Sequence, residues 1–254
     1  MLDLLHLFTP ENTVLDVETI CTLTNHPQTT TYRYIRELAA AGFLQRLPNG
    51  YTLGPRIIEL DRQMRNHDPI LVYSKQIINE LAEQTGLTIL LSQLFGDRVI
   101  SIHQEIGKEK LDQVDFSRGK HMPLFQSATA RVILAYLLPR QLKKVFEESH
   151  PNTEDPSYTW KSFSKDVLAI KKNGYSISEG SITPNTTGIA APIFNEKKRI
   201  LGSLTLIGPA NLFKVFNETY LANLVMHAAD LITQQIVQGE PITQKPILDL
   251  NTFQ

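Results

Sequence analysis

The sequence predicts an α+β chain in two parts. A small N-terminal helical unit is closed by a β-hairpin, and a larger domain is built around a mostly antiparallel sheet. Three observations predict it. Two short stretches with the 3.6-residue apolar period flank a tight turn before residue 42. An Asn49-Gly50 pair follows between two short strand-like runs. Beyond residue 55 the segments lengthen, and strand-like runs alternate with helical ones.

The bulk composition sets the frame. A chain of 254 residues, 42% apolar and 20% charged, can bury one large core or two ordinary ones. A net charge of −1 gives no bulk signal for a polyanion. A single cysteine, Cys21, excludes a disulfide framework and a multi-cysteine metal site, and its apolar helix face marks it as a core residue. No apolar run reaches 18 residues, so no membrane helix is expected. The start, Met1 to His6, lacks the basic and apolar regions of a secretory signal, so a cytoplasmic location is expected.

Taken in order, Leu2, Leu4, Leu5, Leu7 and Phe8 suit a short first helix. Asp16 can cap a second from Val17, with Ile20, Cys21 and Leu23 or Thr24 inward. Asn25-His26-Pro27 interrupts it, and a third helix over 28–41 buries Thr31, Ile35, Leu38 and Ala39 before Gly42 stops it. Two helices around a tight turn are the core of a helix-turn-helix, and the hairpin over 43–53 adds a wing, with Asn49 and Gly50 expected at positive φ. Next comes a linker helix over 56–66, whose Ile57, Ile58, Leu60 and Met64 form an apolar stripe with nothing in its own unit left to cover. Helices are expected over 70–85, 127–138, 139–148 and 162–173, a single long one over 213–238, and strands over 88–94, 99–105, 188–194 and 200–207. A polar loop spans 150–160, where Trp160 has no assignable role, and a loosely held tail spans 241–254. The expected domains are therefore 1–55, a linker over 56–67, 68–240 and the tail.

In a helix-turn-helix the second helix enters the major groove, and its exposed N-terminal side chains meet base edges. Here those are Gln28, Thr29, Thr30, Tyr32, Arg33 and Arg36, with Arg46, Asn49 and Tyr51 on the wing. Gln can pair with adenine and Arg can fork onto guanine. A solvated helix face is the competing reading. Residues 1–62 hold five basic side chains against seven acidic ones, so one copy should attract phosphate weakly; a dimer doubles the contacts.

The stretches 17–20, 28–38, 41–44 and 50–56 together resemble the winged helix of the IclR (isocitrate lyase regulator) family. Segments 81–86, 122–124, 127–135, 174–176, 188–194 and 207–209 match it downstream in order and spacing. The resemblance implies a GAF-like effector-binding domain, a homodimer or dimer of dimers, a palindromic double-stranded operator, and control of a catabolic operon, most often by repression. It implies neither enzyme activity nor a cofactor nor a membrane partner. Two stretches depart from the family pattern, Ser178-Glu179-Gly180-Ser181 and Ala130-Arg131, and both fall next to the implied pocket.

The implied effector is a small organic acid or sugar acid. The amides around Ser127, Ala128 and Thr129 open a helix whose positive dipole end suits an anion, although Ser127 also suits a plain cap. The resemblance adds Ser178, Glu179, Gly188 and Thr205 to the same pocket, while a threonine such as Thr205 is also simply a good strand former. His103, His121 and His227 lack metal-ligand spacing, so no metal is expected. An enzymatic C-terminal domain is the rival, but no G-x-S-x-G elbow, phosphate loop or dinucleotide fingerprint is present. A winged helix used only for protein contacts is the other.

Overall fold

The computed structural model describes residues 1–109, 116–149 and 159–240. The tail over 241–254 and the loop over 150–158 lie outside the described residues. The chain divides into two compact units, Met1–Asp68 and Pro69–Gln254.

The first unit begins with a 3-10 turn, Leu2–Leu7, rather than an α-helix. Helix α1 (Val17–Thr24) starts at Asp16, whose carboxylate accepts the Thr19 amide at 2.8 Å. That backbone bond holds the Asp16 carboxyl below its ordinary range, because it favours the charged form. Helix α2 (Gln28–Ala40) buries Thr31, Ile35 and Leu38. Ile35 and Leu38 join Leu4, Leu15, Ile20 and Leu44 in one small core, while Leu23 points to solvent. Strands β1 (Leu44–Leu47) and β2 (Gly50–Leu53) pair antiparallel.

The hairpin differs from its sequence reading. Leu47 pairs with Gly50, so the turn residues are Pro48 and Asn49, and Asn49 is not among the positive-φ residues. Gly50 is required instead by a close approach. Tyr51 bridges to Leu15, and a Cβ on Gly50 would sit 2.6 Å from the Leu15 carbonyl oxygen. Helix α3 (Arg56–His67) follows and buries no residue; Ile58 is 74% exposed and Met64 54%.

In the second unit, six antiparallel strands run in the order β5-β4-β3-β8-β7-β6. They are β3 (Thr88–Phe95), β4 (Arg98–Glu105), β5 (His121–Met122), β6 (Ser176–Glu179), β7 (Thr186–Phe194) and β8 (Ile200–Pro209). Helices α4 (Pro69–Thr85) and α9 (Glu218–Gln238) cover one face around Ile77, Leu81, Ile189, Leu204 and Val225. Helices α5 (Ala128–Ala135), α6 (Pro139–Ser149) and α7 (Trp160–Asn173) cover the other around Leu90, Val132, Ile133 and Phe163. With both faces covered, β7 and β8 read as nearly unbroken runs of apolar and small residues instead of alternating ones. Trp160 opens α7, with its ring edge-on to Phe146 at 5.3 Å.

The long last helix is in fact two, α8 (Ala210–Phe216) and α9. Asn217 adopts φ 67° between them and caps α9, accepting the Thr219 amide at 3.0 Å. The short strands β5 and β6 had no counterpart in the sequence reading.

Candidate DNA-reading face and ligand cavity

Pro27 precedes α2 and supplies no side-chain cap, so the first turn of α2 presents its backbone outward, with Gln28 and Thr29 exposed and Thr30 half-buried. One turn later Tyr32, Arg33 and Arg36 are exposed on the side opposite Ile35 and Leu38. A hollow of about 760 Å³ lies between α2 and the wing. Thr29, Tyr32, Arg33, Arg36, Arg46 and Tyr51 line it, and Ile35, Ala39 and Ala40 complete the lining. Gln28, Thr30 and Asn49 lie outside it; Asn49 stands exposed at the wing's turn. Ala39 was expected among the buried residues of the helix and instead helps line the hollow, and Ala40 was absent from the sequence reading. Their signal is the Ala39-Ala40-Ala41 run, which leaves this stretch of the helix without bulk.

The electrostatics of that hollow are one-sided. Arg33, Arg36 and Arg46 face it with no carboxylate partner among the described residues. On α3, by contrast, Arg56 pairs with Glu59 and Arg65 with Asp61, each at 2.7 Å. The Arg33 guanidinium lies over the Tyr34 ring, 5.3 Å from its centre. Three cations in one hollow, with their N–H donors open, can take up phosphate or base-edge acceptors.

The second site is a cavity of about 20 Å³ between the start of α5 and the sheet, with room for about one water-sized group. Ser127, Ala128 and Thr129 line it from α5, and Ser178, Gly188 and Thr205 from β6, β7 and β8. The register explains the meeting: Ser178 pairs with Gly188, and Gly188 with Ile207, two residues along the strand from Thr205. Thr205 Oγ1 lies 3.0 Å from Thr129 Oγ1, and the Ser203 hydroxyl donates to the Thr129 carbonyl at 3.2 Å.

Ser127 does cap α5, its hydroxyl accepting the Ala130 amide at 2.9 Å. Its own amide goes to the Pro123 carbonyl at 3.2 Å, which removes that group from the donors expected there. The first-turn amides of Ala128 and Thr129 have no intrahelical acceptor.

Glu179 is a correction. It is exposed on the other side of the sheet with Ile177, Thr187 and Lys214, because successive residues of β6 point to opposite faces and Ser178 takes the inward place. The rest of the lining was missed: Phe116, Met122, Ser181, Ile182, Thr183, Thr186 and Ile207. Of these only Thr186 and Ile207 carry a sequence signal, since they lie two residues from Gly188 and Thr205 on the same strands. Seven hydroxyls and no charged side chain line the cavity. Arg131 stands beside it, donating to the Ile177 carbonyl at 3.4 Å and pairing with Asp166 at 3.4 Å, and so ties α5 to β6 and α7. Among the described residues no group of three or more His, Cys, Asp or Glu could hold a metal, and no helix is long and apolar enough to cross a membrane.

Comparison with known proteins identifies the two domains. The family described as bacterial transcriptional regulator IclR C-terminal matches residues 63–234, and the IclR helix-turn-helix domain matches residues 1–48. The chain is 25% identical to the HTH-type transcriptional regulator KipR of Bacillus subtilis over 229 residues, 87% of this chain and 90% of that one. It is 21% identical to the transcriptional repressor IclR of Escherichia coli, over 82% of this chain and 77% of that one. Among solved structures, an IclR transcriptional regulator from Silicibacter shares the fold at a TM-score of 0.78, with 22% identity and 98% of each chain covered. Another, from Alicyclobacillus acidocaldarius, does so at 0.78 with 20% identity, over 92% of this chain and 96% of that one.

Proposed function

The chain belongs to the IclR family of bacterial transcriptional regulators, and from that membership we propose a homodimeric repressor of a catabolic operon that releases a palindromic operator when a small organic acid or sugar acid enters the C-terminal cavity. The observation that carries the reading is the hollow between α2 and the wing, where three arginines with no carboxylate partner among the described residues converge with Thr29, Tyr32 and Tyr51. Such a surface suits a duplex groove: arginines for phosphate and guanine, hydroxyls for either. The repressor sign draws on the E. coli relative, which is named a transcriptional repressor.

Dimerisation answers the charge problem. With five basic residues against seven acidic ones over residues 1–62, one copy neutralises few phosphates. The exposed Ile58 and Met64 of α3 supply an apolar stripe for a second copy, and a two-fold dimer reads a palindrome.

The cavity supports a particular ligand chemistry. Its hydroxyls can donate to or accept from a hydroxylated molecule, and a carboxylate fits the open amides of Ala128 and Thr129 at the start of α5. At about 20 Å³ the cavity is smaller than any such acid, so entry requires part of its lining to move. That displacement provides two states for a ligand to choose between.

A gel shift at low salt with DNA from upstream of the chain's own gene tests the reading. The wild-type chain should retard it. Arg33→Ala should not, while its thermal-shift response to a panel of small organic acids stays as in wild type. No retardation by the wild-type chain would remove the regulator reading; equal loss of both responses in the variant would remove Arg33 from the interface.

A further inference from the structure

Arg33 is ordered by a ring and not by a carboxylate. Its Cζ lies 5.3 Å from the centre of the Tyr34 ring, and no acidic partner for it occurs among the described residues. The ring is itself fixed from two other directions. It packs against the N-terminal core that includes Leu4, Ile20 and Ile35, and it meets the His26 ring at a 77° interplanar angle with centres 5.8 Å apart. Its hydroxyl makes no hydrogen bond among the described residues. Tyr34 belongs to no part of the DNA-reading face, because its side chain leaves α2 on the core side of Arg33.

We propose that Tyr34 is the positioning residue for Arg33, presenting an arginine that is already ordered but still has all its donors free. The claim rests on the DNA-binding reading above and adds the device by which that reading gains sequence discrimination. An arginine free in solvent loses much rotamer freedom when it grips a base, and that loss is subtracted from affinity. A carboxylate would order the side chain but would also engage N–H donors and cancel the charge, as Glu59 does for Arg56 and Asp61 for Arg65. A ring face attracts the cation through its quadrupole and leaves the five in-plane N–H groups open to a guanine edge. In a domain with so few basic residues, the quality of each contact outweighs their number.

A cation–π contact at a partly exposed site corresponds to roughly 2- to 5-fold in affinity, and two copies per operator make that roughly 4- to 25-fold. The test uses the full-length protein, a duplex that the wild-type chain selects from a randomised pool, and a shuffled duplex of the same composition. Tyr34→Leu should weaken binding to the selected duplex by roughly 4- to 25-fold and to the shuffled one by less than about twofold, since non-specific affinity depends on charge alone. Tyr34→Phe, which keeps the ring, should stay within about twofold of wild type on both. In an Arg33→Ala background Tyr34→Leu should have no further effect, a cycle that holds even if the leucine variant melts lower. The proposal is overturned if Tyr34→Leu keeps its affinity for the selected duplex, loses equally on both duplexes, loses as much again without Arg33, or is matched by Tyr34→Phe. A wild-type chain that enriches no sequence at all would instead overturn the DNA-binding reading, and this inference with it.

Discussion

Gly188→Ala separates the ligand cavity from the stability of the sheet that builds it. An ideal Cβ at Gly188 would lie 3.5 Å from Ser178 Oγ, 3.8 Å from Ile207 Cγ1 and 3.8 Å from the Leu206 carbonyl oxygen, all ordinary contacts. The backbone there is not in the left-handed region, so alanine fits without strain. Replacing a strand-interior glycine gains roughly 0.5–1 kcal/mol of chain entropy, so the variant should melt at or slightly above the wild-type temperature. The new methyl enters a space of about 20 Å³ and faces two of its lining residues. A ligand that must share that space meets an overpacked site, at about 1–3 kcal/mol. That is roughly 5- to 150-fold in Kd. Isothermal titration with an acid that raises the wild-type melting temperature measures both Kd values, and a melt measures stability. Unchanged affinity in a stable Gly188→Ala protein would refute the assignment of this cavity as the effector site; a collapse in stability would refute the packing argument.

Three further outcomes follow from the same structure. Thr31 is fully buried on α2 and its hydroxyl has no partner among the described residues, so Thr31→Val should raise stability by about 1 kcal/mol in urea unfolding, and a loss would mean the hydroxyl has a partner. Ile58→Asp places a charge in the exposed stripe of α3 and should shift the protein toward monomer in sedimentation, with no loss of helical circular dichroism; an unchanged oligomer would move the interface off α3. Asp16 has a lowered folded carboxyl pKa, so its charged form adds stability above the ordinary value of 3.8 and loses it as pH falls through the folded value. Asp16→Asn should therefore melt lower than wild type at pH 7, and the two should converge below pH 3.8; a gap that persists in acid would show that charge is not the cause.

Helix boundaries set by local chemistry were legible in the sequence. Asp16 caps α1 and Gly174 ends α7 in the left-handed conformation, because each supplies a side chain or a φ that few other residues can. Elements defined by their neighbours were not. Strands β5 and β6 span two and four residues, too short to display a period of two, and exist because β4 and β7 offer them open edges. The break at Asn217 is invisible to periodicity, since Phe213 and Leu221 are both buried and the apolar pattern runs across it. Gly50 carried a turn signal for a different reason than the one it serves: the chain needs it where Leu15 crosses the hairpin.

The two candidate sites were legible to different depths for a related reason. The α2 face comes from one continuous helix, so helical geometry alone puts Thr29, Arg33 and Arg36 on one side, and the wing lies next in sequence. The cavity gathers residues from α5, β6, β7 and β8, with Ser181, Ile182 and Thr183 contributed by an irregular connection that has no period at all. Resemblance brought Ser178 and Glu179 forward as neighbours in sequence, but an extended strand cannot turn both into the same cavity. Strand alternation is thus the stronger constraint: Ser178 pairs with Gly188, which pairs in turn with Ile207, and a one-residue slip of β6 that brought Glu179 inward would turn Ile177 inward with it and bring the buried Ser176, whose hydroxyl has no partner among the described residues, to the opposite face. A ligand contact that depends on the Glu179 carboxylate would therefore require the β6 backbone to slip or bulge, not merely a side chain to rotate.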